Sequence, residues 1–495
     1  MVNLIQKIIQ NNLENELWQS LMGIEVETQR VDLSGKLSKL PYPDTLGSRV
    51  FHPYLQTDFG ETQTEWITDP MSDNHQLIQQ LQVLHDVFTK EMSDVDRVWL
   101  LSMPPALTHE DRLFVREHFD RPKYQHYRDY LDGKFGIAHG LTTGVHLNFS
   151  LTDKFIETFS KIRGTSKVKT TNFLYWRILQ NFLKYRWLLT YFFGASPIAE
   201  SGYFQQMPTE LQNPVRSIRN SNFGFNNGGQ SHISYTTFEQ HIEELQNAID
   251  NGELYAQMEF YGPVRIKDQT RISDYATKGI KYLEFRVFDT NPFVPLGVDE
   301  TELNFVRSFL IFCLVQPINP VEINAQLNKA AMQNNIVALQ SPSDTLPNLS
   351  DSKNLLAAIS AMLIQFNAPA SLLQSVTFYN SQIIHPETTT AAKIVNLLSQ
   401  GSMRLNMLAL ADKRFVRSKN TSNELFPDLA VGPNTQALLL AGVKIGLHVD
   451  WSSINKKSII FDNGHRWQKM TSISPQVNPN VTQLFSAFPS NEQHP

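Results

Sequence analysis

Apolar and polar positions alternate in four short segments of the first 300 residues, which is the pattern of strands with one buried face. These segments cover residues 23–28, 57–67, 144–151 and 281–289. After residue 300, apolar residues recur at three-to-four spacing, and this predicts helices over residues 300–316, 353–365 and 388–410. The two periodicities together predict an α+β fold, in which a curved, mostly antiparallel sheet is backed by helices and followed by a helical C-terminal region.

A loop rich in Ser, Pro and Asp over residues 340–351 separates the helical region from the part of the chain that contains the polar strands. We therefore expect a catalytic domain at residues 1–345 and a helical region packed on it at residues 346–470. The segment 471–495 is rich in Ser, Pro and Asn, and we expect it to be a mobile tail.

Carboxylates occupy the polar face of the first two segments. As a strand, residues 23–28 place Glu25 and Glu27 on one face, about 7 Å apart at the backbone. Asp58, Glu61 and Glu65 follow in the second segment, and Glu61 and Glu65 fall on the same side whether this segment is a helix or a strand. Like charges at this spacing repel each other unless a cation lies between them, so the pattern suggests a metal site. A solvated strand face carrying two Glu residues remains the alternative.

The other two segments add an imidazole and a guanidinium. His146 and Asn148 share one face of residues 144–151, although a histidine that simply makes hydrogen bonds would give the same pattern. Glu284 and Arg286 share a face of residues 281–289, where they could also neutralise each other. Oxygen ligands with at most one nitrogen and no thiolate favour Mg²⁺ or Mn²⁺ over Zn²⁺. Such ions together with an arginine are suited to phosphoryl transfer.

Composition and known motifs narrow the function further. The net charge of -5 does not indicate a nucleic-acid partner, and there are no P-loop, dinucleotide, serine-hydrolase or zincin motifs. The single cysteine, Cys313, lies in an apolar run and excludes an intramolecular disulfide. No apolar stretch is long enough for a signal peptide core or a spanning helix, so we expect a cytoplasmic protein without a membrane partner. We also expect either a monomer or a weak oligomer.

Several short motifs, in one order and spacing, resemble bacterial glutamate–cysteine ligase over roughly residues 20–320. The motifs lie at residues 23–27, 57–65, 101–105, 144–150, 194–197, 282–286 and 289–293. The resemblance implies a glutamine-synthetase-like fold. It also implies ATP- and Mg²⁺-dependent joining of the γ-carboxylate of glutamate to the amine of cysteine through γ-glutamyl phosphate.

The resemblance also implies roles for individual residues. The expected metal ligands are Glu25, Glu27, Asp58, Glu65, His146 and Glu284. Arg286, together with Glu284, is expected to act in catalysis by stabilising the transferred phosphoryl group. The expected cysteine pocket is formed by Phe59, Tyr127, Arg219, Phe225 and Tyr261, in which Arg219 anchors the carboxylate.

Two positions depart from the proteobacterial members of the family. Phe225 stands in place of a Tyr, which removes a hydroxyl from the acceptor pocket, and Val26 replaces an Arg but faces away from the metals. A ligase of the same fold that uses another amine is therefore one alternative, and a binding protein without turnover is another. Some relatives continue into a second ATP-using domain that completes glutathione, and the sequence up to Pro495 leaves no room for one. We therefore expect γ-glutamylcysteine as the product and not glutathione.

Overall fold

The computed structural model describes residues 4–119, 124–224, 233–420, 431–454, 458–471, 484 and 486–488. Phe225 and most of the predicted tail lie outside these residues. The strands in the described part are β1 Leu21–Asp32, β2 Leu55–Thr57, β3 Gln63–Ile67, β4 Asp96–Trp99, β5 Val145–Ser150, β6 Val264–Lys267, β7 Tyr282–Phe288, β8 His448–Asp450, β9 Ser458–Asp462 and β10 Trp467–Thr471. The helices are α1 Leu4–Gln10, α2 Glu14–Trp18, α3 Asn74–Glu91, α4 His109–Glu117, α5 Gln125–Phe135, α6 Ile137–Gly140, α7 Asp153–Arg163, α8 Lys167–Tyr185, α9 Trp187–Phe193, α10 Phe238–Asp250, α11 Asp274–Lys278, α12 Glu300–Val315, α13 Ile323–Leu339, α14 Leu349–Gln365, α15 Ala370–Ile384, α16 Thr390–Val395, α17 Arg404–Asn420 and α18 Pro433–Lys444.

The larger sheet contains seven strands in the order β2-β3-β1-β5-β7-β6, with β4 also paired to β1. Every pairing in it is antiparallel. Along the central strand β1, Glu25 lies opposite His146 of β5, and Glu27 lies opposite Glu65 of β3. Residues that pair directly across two strands point to the same face of the sheet, so these four side chains share one face.

The opposite face of the sheet is apolar and packs against helices α3, α8 and α9, with α12 packed on α8. Ile24 and Val26 of β1 are fully buried there. The ring of Phe182 on α8 lies 4.5 Å from that of Phe285 on β7 and 6.0 Å from that of Phe309 on α12. Burying a side chain of this size contributes about 1.5–3 kcal/mol, so this core holds the strands in register. The predicted fold class, an antiparallel sheet backed by helices, is confirmed.

Three of the four predicted strands are present as β1, β5 and β7, whereas the segment at residues 57–67 is interrupted by a turn. β2 ends at Thr57 and β3 begins at Gln63. Glu61 lies in the turn, where its Oε1 accepts a hydrogen bond from the backbone N–H of Tyr42 at 2.9 Å. The prediction that Glu61 shares a side with Glu65 was wrong, because the turn breaks the alternation that the prediction assumed.

The helix predicted over residues 388–410 is in fact two helices, α16 and α17. Between them, Gln400 and Gly401 have φ values of 50° and 77°, and the backbones of Ser399 and Ser402 exchange two hydrogen bonds of 3.0 Å. A right-handed helix does not continue through residues with positive φ. Apolar spacing alone did not reveal this turn.

The C-terminal region also contains a three-stranded antiparallel sheet, in the order β10-β9-β8, that the sequence analysis missed. Helix α18 packs on β8 and β9 and against α3, while α14 and α15 pack against α12. The C-terminal elements therefore contact the helices behind the main sheet. The predicted domain boundaries stay a prediction. Within the described ranges, no helix combines the length and the apolar character needed to cross a bilayer.

Candidate active site

A cavity of about 800 Å³ lies on the polar face of the main sheet. Its walls are formed by side chains from the strands, from α5 and from the loops around residues 219–221 and 258–263. The structure brings ten of the predicted site residues to this cavity: Glu25, Glu27, Asp58, Phe59, Glu65, Tyr127, His146, Arg219, Tyr261 and Arg286. Glu284 adjoins them through its contacts with His146 and Arg286. Phe225 lies outside the described residues.

His146 lies where carboxylates from two neighbouring strands meet. Its Nδ1 is 3.4 Å from Glu25 Oε2, 3.6 Å from Glu27 Oε1 and 3.9 Å from Glu284 Oε1. The side chain of His146 is only 4% exposed. An imidazole is thus buried among oxygen atoms that are all potential metal ligands.

The two glutamates of β1 differ in their surroundings. Asn148 Nδ2 donates to Glu25 Oε1 at 2.8 Å. Burial is the largest influence on the pKa of Glu25 and raises it, but the hydrogen bond and charge of His146 together with the charge of Lys267 outweigh burial, so the pKa lies below its ordinary value. Burial raises the pKa of Glu27, whose Oε2 accepts a hydrogen bond from the backbone N–H of Gly144 at 3.1 Å. A cation placed between them would lower the pKa of both carboxyls.

Glu284 is surrounded by cationic side chains. Arg286 Nη1 donates to Glu284 Oε1 at 2.9 Å, and Lys267 Nζ lies 3.4 Å from Oε2. Burial would raise the pKa of Glu284, but Arg286 and then Lys267 outweigh burial and hold the pKa well below its usual range. Glu284 therefore stays ionised. Its Oε2 is buried and has no hydrogen-bond partner within the described chain, which leaves a lone pair available to a cation.

The donor set fits a hard divalent cation. Two groups have ligand atoms that all lie within 4.8 Å of one another: Glu25, His146 and Glu284 form one group, and Glu27, Glu65 and His146 form the other. Carboxylate oxygens with one imidazole nitrogen match the preferences of Mg²⁺ and Mn²⁺. The buried Oε2 of Glu284, which has no hydrogen-bond partner in the described chain, is a further observation that supports a cation here.

Asp58 and Phe59 follow β2 in the turn towards β3. Asp58 lines the cavity but belongs to neither group of clustered ligands, so its role as a metal ligand stays a prediction. The ring of Phe59 lies 4.2 Å from the guanidinium of Arg128. It also fills the space beside Gly140, where an added Cβ would be 2.5 Å from the ring. The glycine thus allows Phe59 to form part of the wall.

Tyr127 on α5 and Tyr261 before β6 add aromatic side chains to the wall of the cavity. The two phenols interact electrostatically with each other. Burial raises the pKa of both phenols, so both remain protonated donors at neutral pH. The structure thus brings these two predicted pocket residues together, although they are far apart in the sequence.

Arg219 extends into the cavity beside the first residues of β5. Its Nη1 donates to the backbone oxygen of Phe288 at 3.2 Å and lies 3.7 Å from Asp289 Oδ1. The guanidinium lies directly against Gly144, where a Cβ would overlap it. The glycine that opens the motif at residues 144–150 therefore has a steric function, which is to leave room for Arg219.

Asp289 is a site residue whose role the sequence analysis did not identify. Its Oδ2 accepts hydrogen bonds of 2.7 Å from the backbone N–H of Ala195, from Ser196 Oγ and from Ser217 Oγ. Asp289 therefore ties the segment at residues 194–197 to the loop that carries Arg219. Asp289 and Ser196 both lie in motifs that resemble the ligase family, and this could have marked them as site residues, but no role was assigned to those two motifs. Other cavity arginines were missed because single arginines form no pattern.

The fold and the site together define a class. An antiparallel sheet that presents clustered carboxylates, an imidazole and guanidinium groups to a cavity of substrate size has the groups that metal-dependent phosphoryl-transfer enzymes, including ATP-dependent ligases, require.

Comparisons with known proteins agree with this class. The family model described as glutamate-cysteine ligase matches residues 5–337. The glutathione biosynthesis bifunctional protein GshAB of Streptococcus agalactiae is 35% identical over 401 residues, which cover 80% of this chain and 52% of the relative. GshAB of Pasteurella multocida is 30% identical over 490 residues, covering 96% of this chain and 64% of the relative. The chain therefore spans roughly half to two thirds of the length of these relatives.

Two solved structures show the same fold. The crystal structure of a bifunctional glutathione synthetase from Pasteurella multocida has a TM-score of 0.83 and 27% identity, and covers 94% of this chain and 61% of that chain. The crystal structure of glutamate–cysteine ligase from Francisella tularensis in complex with AMP has a TM-score of 0.72 and 21% identity, and covers 95% of this chain and 98% of that chain. Since the family model matches more than half of the sequence, the chain belongs to the glutamate–cysteine ligase family.

Proposed function

We propose that this chain catalyses ATP- and Mg²⁺-dependent ligation of the γ-carboxylate of L-glutamate to the amine of L-cysteine, giving γ-glutamylcysteine, ADP and phosphate. The observation that carries the proposal is the meeting of Glu25, Glu27, Glu284 and His146, from three strands, at the edge of a cavity large enough for amino-acid substrates. The family assignment supports it.

The acidic residues would hold the divalent cations. Glu25, Glu27, Glu65, His146 and Glu284 supply the clustered donors. Asp58, at the rim of the same cavity, is proposed to join them when the ions bind. Bound Mg²⁺ or Mn²⁺ would neutralise phosphate charge, which is the main electrostatic requirement of phosphoryl transfer.

Arg286 would act on the transferred phosphoryl group. An oxygen of the glutamate γ-carboxylate attacks the γ-phosphorus of ATP, and the bond to ADP breaks, so that γ-glutamyl phosphate forms. The cysteine amine then attacks the acyl carbon, loses a proton and displaces phosphate. The guanidinium of Arg286 is fixed by Glu284 at 2.9 Å, so it can stabilise the developing charge without reorganising.

The aromatic wall would enclose the acceptor amino acid. Phe59, Tyr127 and Tyr261 line the cavity together with Arg219, and a guanidinium is a suitable partner for an amino-acid carboxylate. Phe225 is proposed to contribute to the same pocket on the basis of the sequence alone. The cytoplasmic location also stays a prediction from the sequence.

The decisive experiment is an assay with ATP, Mg²⁺, glutamate and cysteine in which ADP is quantified and the product is identified by mass. We expect γ-glutamylcysteine. Substituting 2-aminobutyrate or ammonia for cysteine tests the alternative of another amine acceptor, which the absence of a hydroxyl at Phe225 motivates. If no amino-acid pair yields ADP, the chain is a binding protein and the proposal fails.

A further inference from the structure

Among the residues that the structure describes, five guanidinium groups line the cavity, and one of them makes no hydrogen bond or ion pair within that part of the chain. They belong to Arg128, Arg186, Arg219, Arg265 and Arg286. Arg219 and Arg286 interact with carboxylates, whereas Arg128 and Arg265 donate to backbone carbonyl oxygens. Arg186 makes no hydrogen bond or ion pair with any residue that the structure describes.

Arg186 nevertheless occupies a defined position. It lies at the junction between α8 and α9, with φ -59° and ψ -21°. Burial lowers the pKa of Arg186 to about 10, so the group is still a cation at neutral pH. Partly buried charges without a partner carry a desolvation cost that an anionic ligand would offset.

The hydroxyl of Tyr235 is, after Arg186, a second polar group in this cavity that has no hydrogen-bond partner among the described residues. This oxygen is buried and has no hydrogen-bond partner in the described chain, and Tyr235 lines the same cavity. Tyr235 and Arg186 interact electrostatically. Burial raises the pKa of Tyr235, so the hydroxyl stays a neutral donor. A cation and a hydroxyl donor that line the same cavity are suited to a carboxylate.

The helix that ends at Arg186 also holds Tyr235 in place. Gln180 Nε2 donates to the backbone oxygen of Tyr235 at 2.8 Å, and the ring of Trp176 lies 6.3 Å from that of Tyr235. On the other side, an added Cβ at Gly262 would lie 2.5 Å from the Tyr235 hydroxyl. Arg186 and Tyr235 are therefore supported by one element, and Gly262 leaves the space that the hydroxyl occupies.

We propose that Arg186 and Tyr235 form a carboxylate subsite, separate from the metal cluster and from Arg219, that binds the α-carboxylate of one of the two amino-acid substrates. This inference rests on the proposed function. A γ-glutamyl dipeptide carries two α-carboxylates, one from each amino acid, and Arg219 is the expected anchor of only one of them. An arginine binds a carboxylate with two parallel hydrogen bonds, and the tyrosine hydroxyl adds a third.

The test measures KM and kcat separately for glutamate and cysteine in Arg186→Gln, Arg186→Lys and Tyr235→Phe. We expect the KM for one amino acid to rise roughly tenfold or more in Arg186→Gln, because a charge-assisted pair is lost. The kcat and the other KM should stay within about twofold. Arg186→Lys should recover part of the affinity. Lys184→Gln is the matched control, because it removes a charge in the last turn of α8, two residues before Arg186, and Lys184 does not line the cavity.

Decarboxylated analogues identify which substrate is bound. Cysteamine replaces cysteine in one arm, and 4-aminobutyrate replaces glutamate in the other. If the subsite binds cysteine, Arg186→Gln should lose the preference that the wild type shows for cysteine over cysteamine. If it binds glutamate, the variant should lose the preference for glutamate over 4-aminobutyrate. A purely structural role would lower the melting temperature or kcat and leave both preferences intact.

The inference is overturned if the wild type makes γ-glutamylcysteine and Arg186→Gln retains both KM values and both preferences. Absence of any γ-glutamyl product from the wild type would be a failure of the proposed function itself. In that case the shift in melting temperature on adding glutamate or cysteine alone still decides the inference. An equal shift in wild type and Arg186→Gln rejects it, and a shift lost only in the variant supports it.

Discussion

Gly144 and Arg219 are in direct contact, with the guanidinium in the space that a side chain at Gly144 would occupy. Gly144 directly precedes β5, the strand that carries His146, and its backbone N–H donates to Glu27. One glycine thus connects the clustered carboxylates to the predicted carboxylate anchor. This contact gives a direct way to disturb the anchor without removing it.

We predict that Gly144→Ala displaces Arg219 and raises the KM for cysteine about tenfold or more, because the anchored carboxylate loses a charge-assisted hydrogen bond. The matched control is Gly133→Ala on α5, where an added methyl group meets no atom within 4 Å. Alanine favours a helix over glycine by about 1 kcal/mol, so the control should be active and at least as stable. Steady-state kinetics and thermal unfolding of both variants provide the measurement. An unchanged KM in Gly144→Ala would show that Arg219 does not anchor the acceptor.

Glu284→Gln and Arg286→Ala are predicted to abolish ligation in proteins that still fold. Removing a group that stabilises charge in the transition state commonly lowers kcat by on the order of 10² to 10³. ADP release reports the loss, and circular dichroism verifies the fold. Glu284 is 1% exposed, and glutamine preserves its size, so the glutamine variant tests charge and not packing. Near-normal turnover in either variant would refute the roles assigned to these residues.

Cation binding is predicted to depend on His146, which belongs to both groups of clustered ligands. His146→Ala should weaken Mn²⁺ binding by about tenfold or more, as measured by electron paramagnetic resonance without any substrate. His118→Ala is the control, because His118 is exposed and stacks on Phe114 outside the cavity. Chelation with EDTA should abolish ligation in the wild type, and added Mg²⁺ or Mn²⁺ should restore it. Equal Mn²⁺ affinity in the two variants would remove His146 from the ligand set.

A pH-dependent stability effect is predicted at Glu302. Burial first, and then the neighbouring Asp299 and Asp289, raise the pKa of Glu302 well above its ordinary value. A carboxyl with a raised pKa in the folded state binds its proton more tightly there than in the unfolded chain, where glutamate ionises near about pH 4.3. The folded state therefore loses relative stability as the pH rises above that value, until the folded pKa is passed.

Glu302→Gln should accordingly raise the melting temperature by about 2 °C or more at pH 8 and have little effect near pH 4. Thermal unfolding of wild type and variant across this range tests the prediction, and the low-pH comparison is the internal control. A variant that is less stable at pH 8 would show that the ionised carboxylate is stabilised by a partner and that the predicted sign is wrong.

The sequence by itself determined the fold class and much of the polar inventory. Alternation at period two fixes which side chains share a face of a strand, so Glu25 with Glu27, and Glu284 with Arg286, could be paired without coordinates. The same rule failed where the chain turns, as it did at Glu61, because a turn leaves no trace in the alternation.

Only the tertiary structure decided which strands are neighbours and which loops cover them. The pairing of β5 with β1 and with β7 brings His146 within 4 Å of three carboxylates, although each is more than a hundred residues away from it in the sequence. The hydrogen bonds of Asp289, the space at Gly144 and the available guanidinium of Arg186 likewise exist only once separate elements pack together. Periodicity is a local property of the chain, whereas proximity between distant residues is set by the packing of the core.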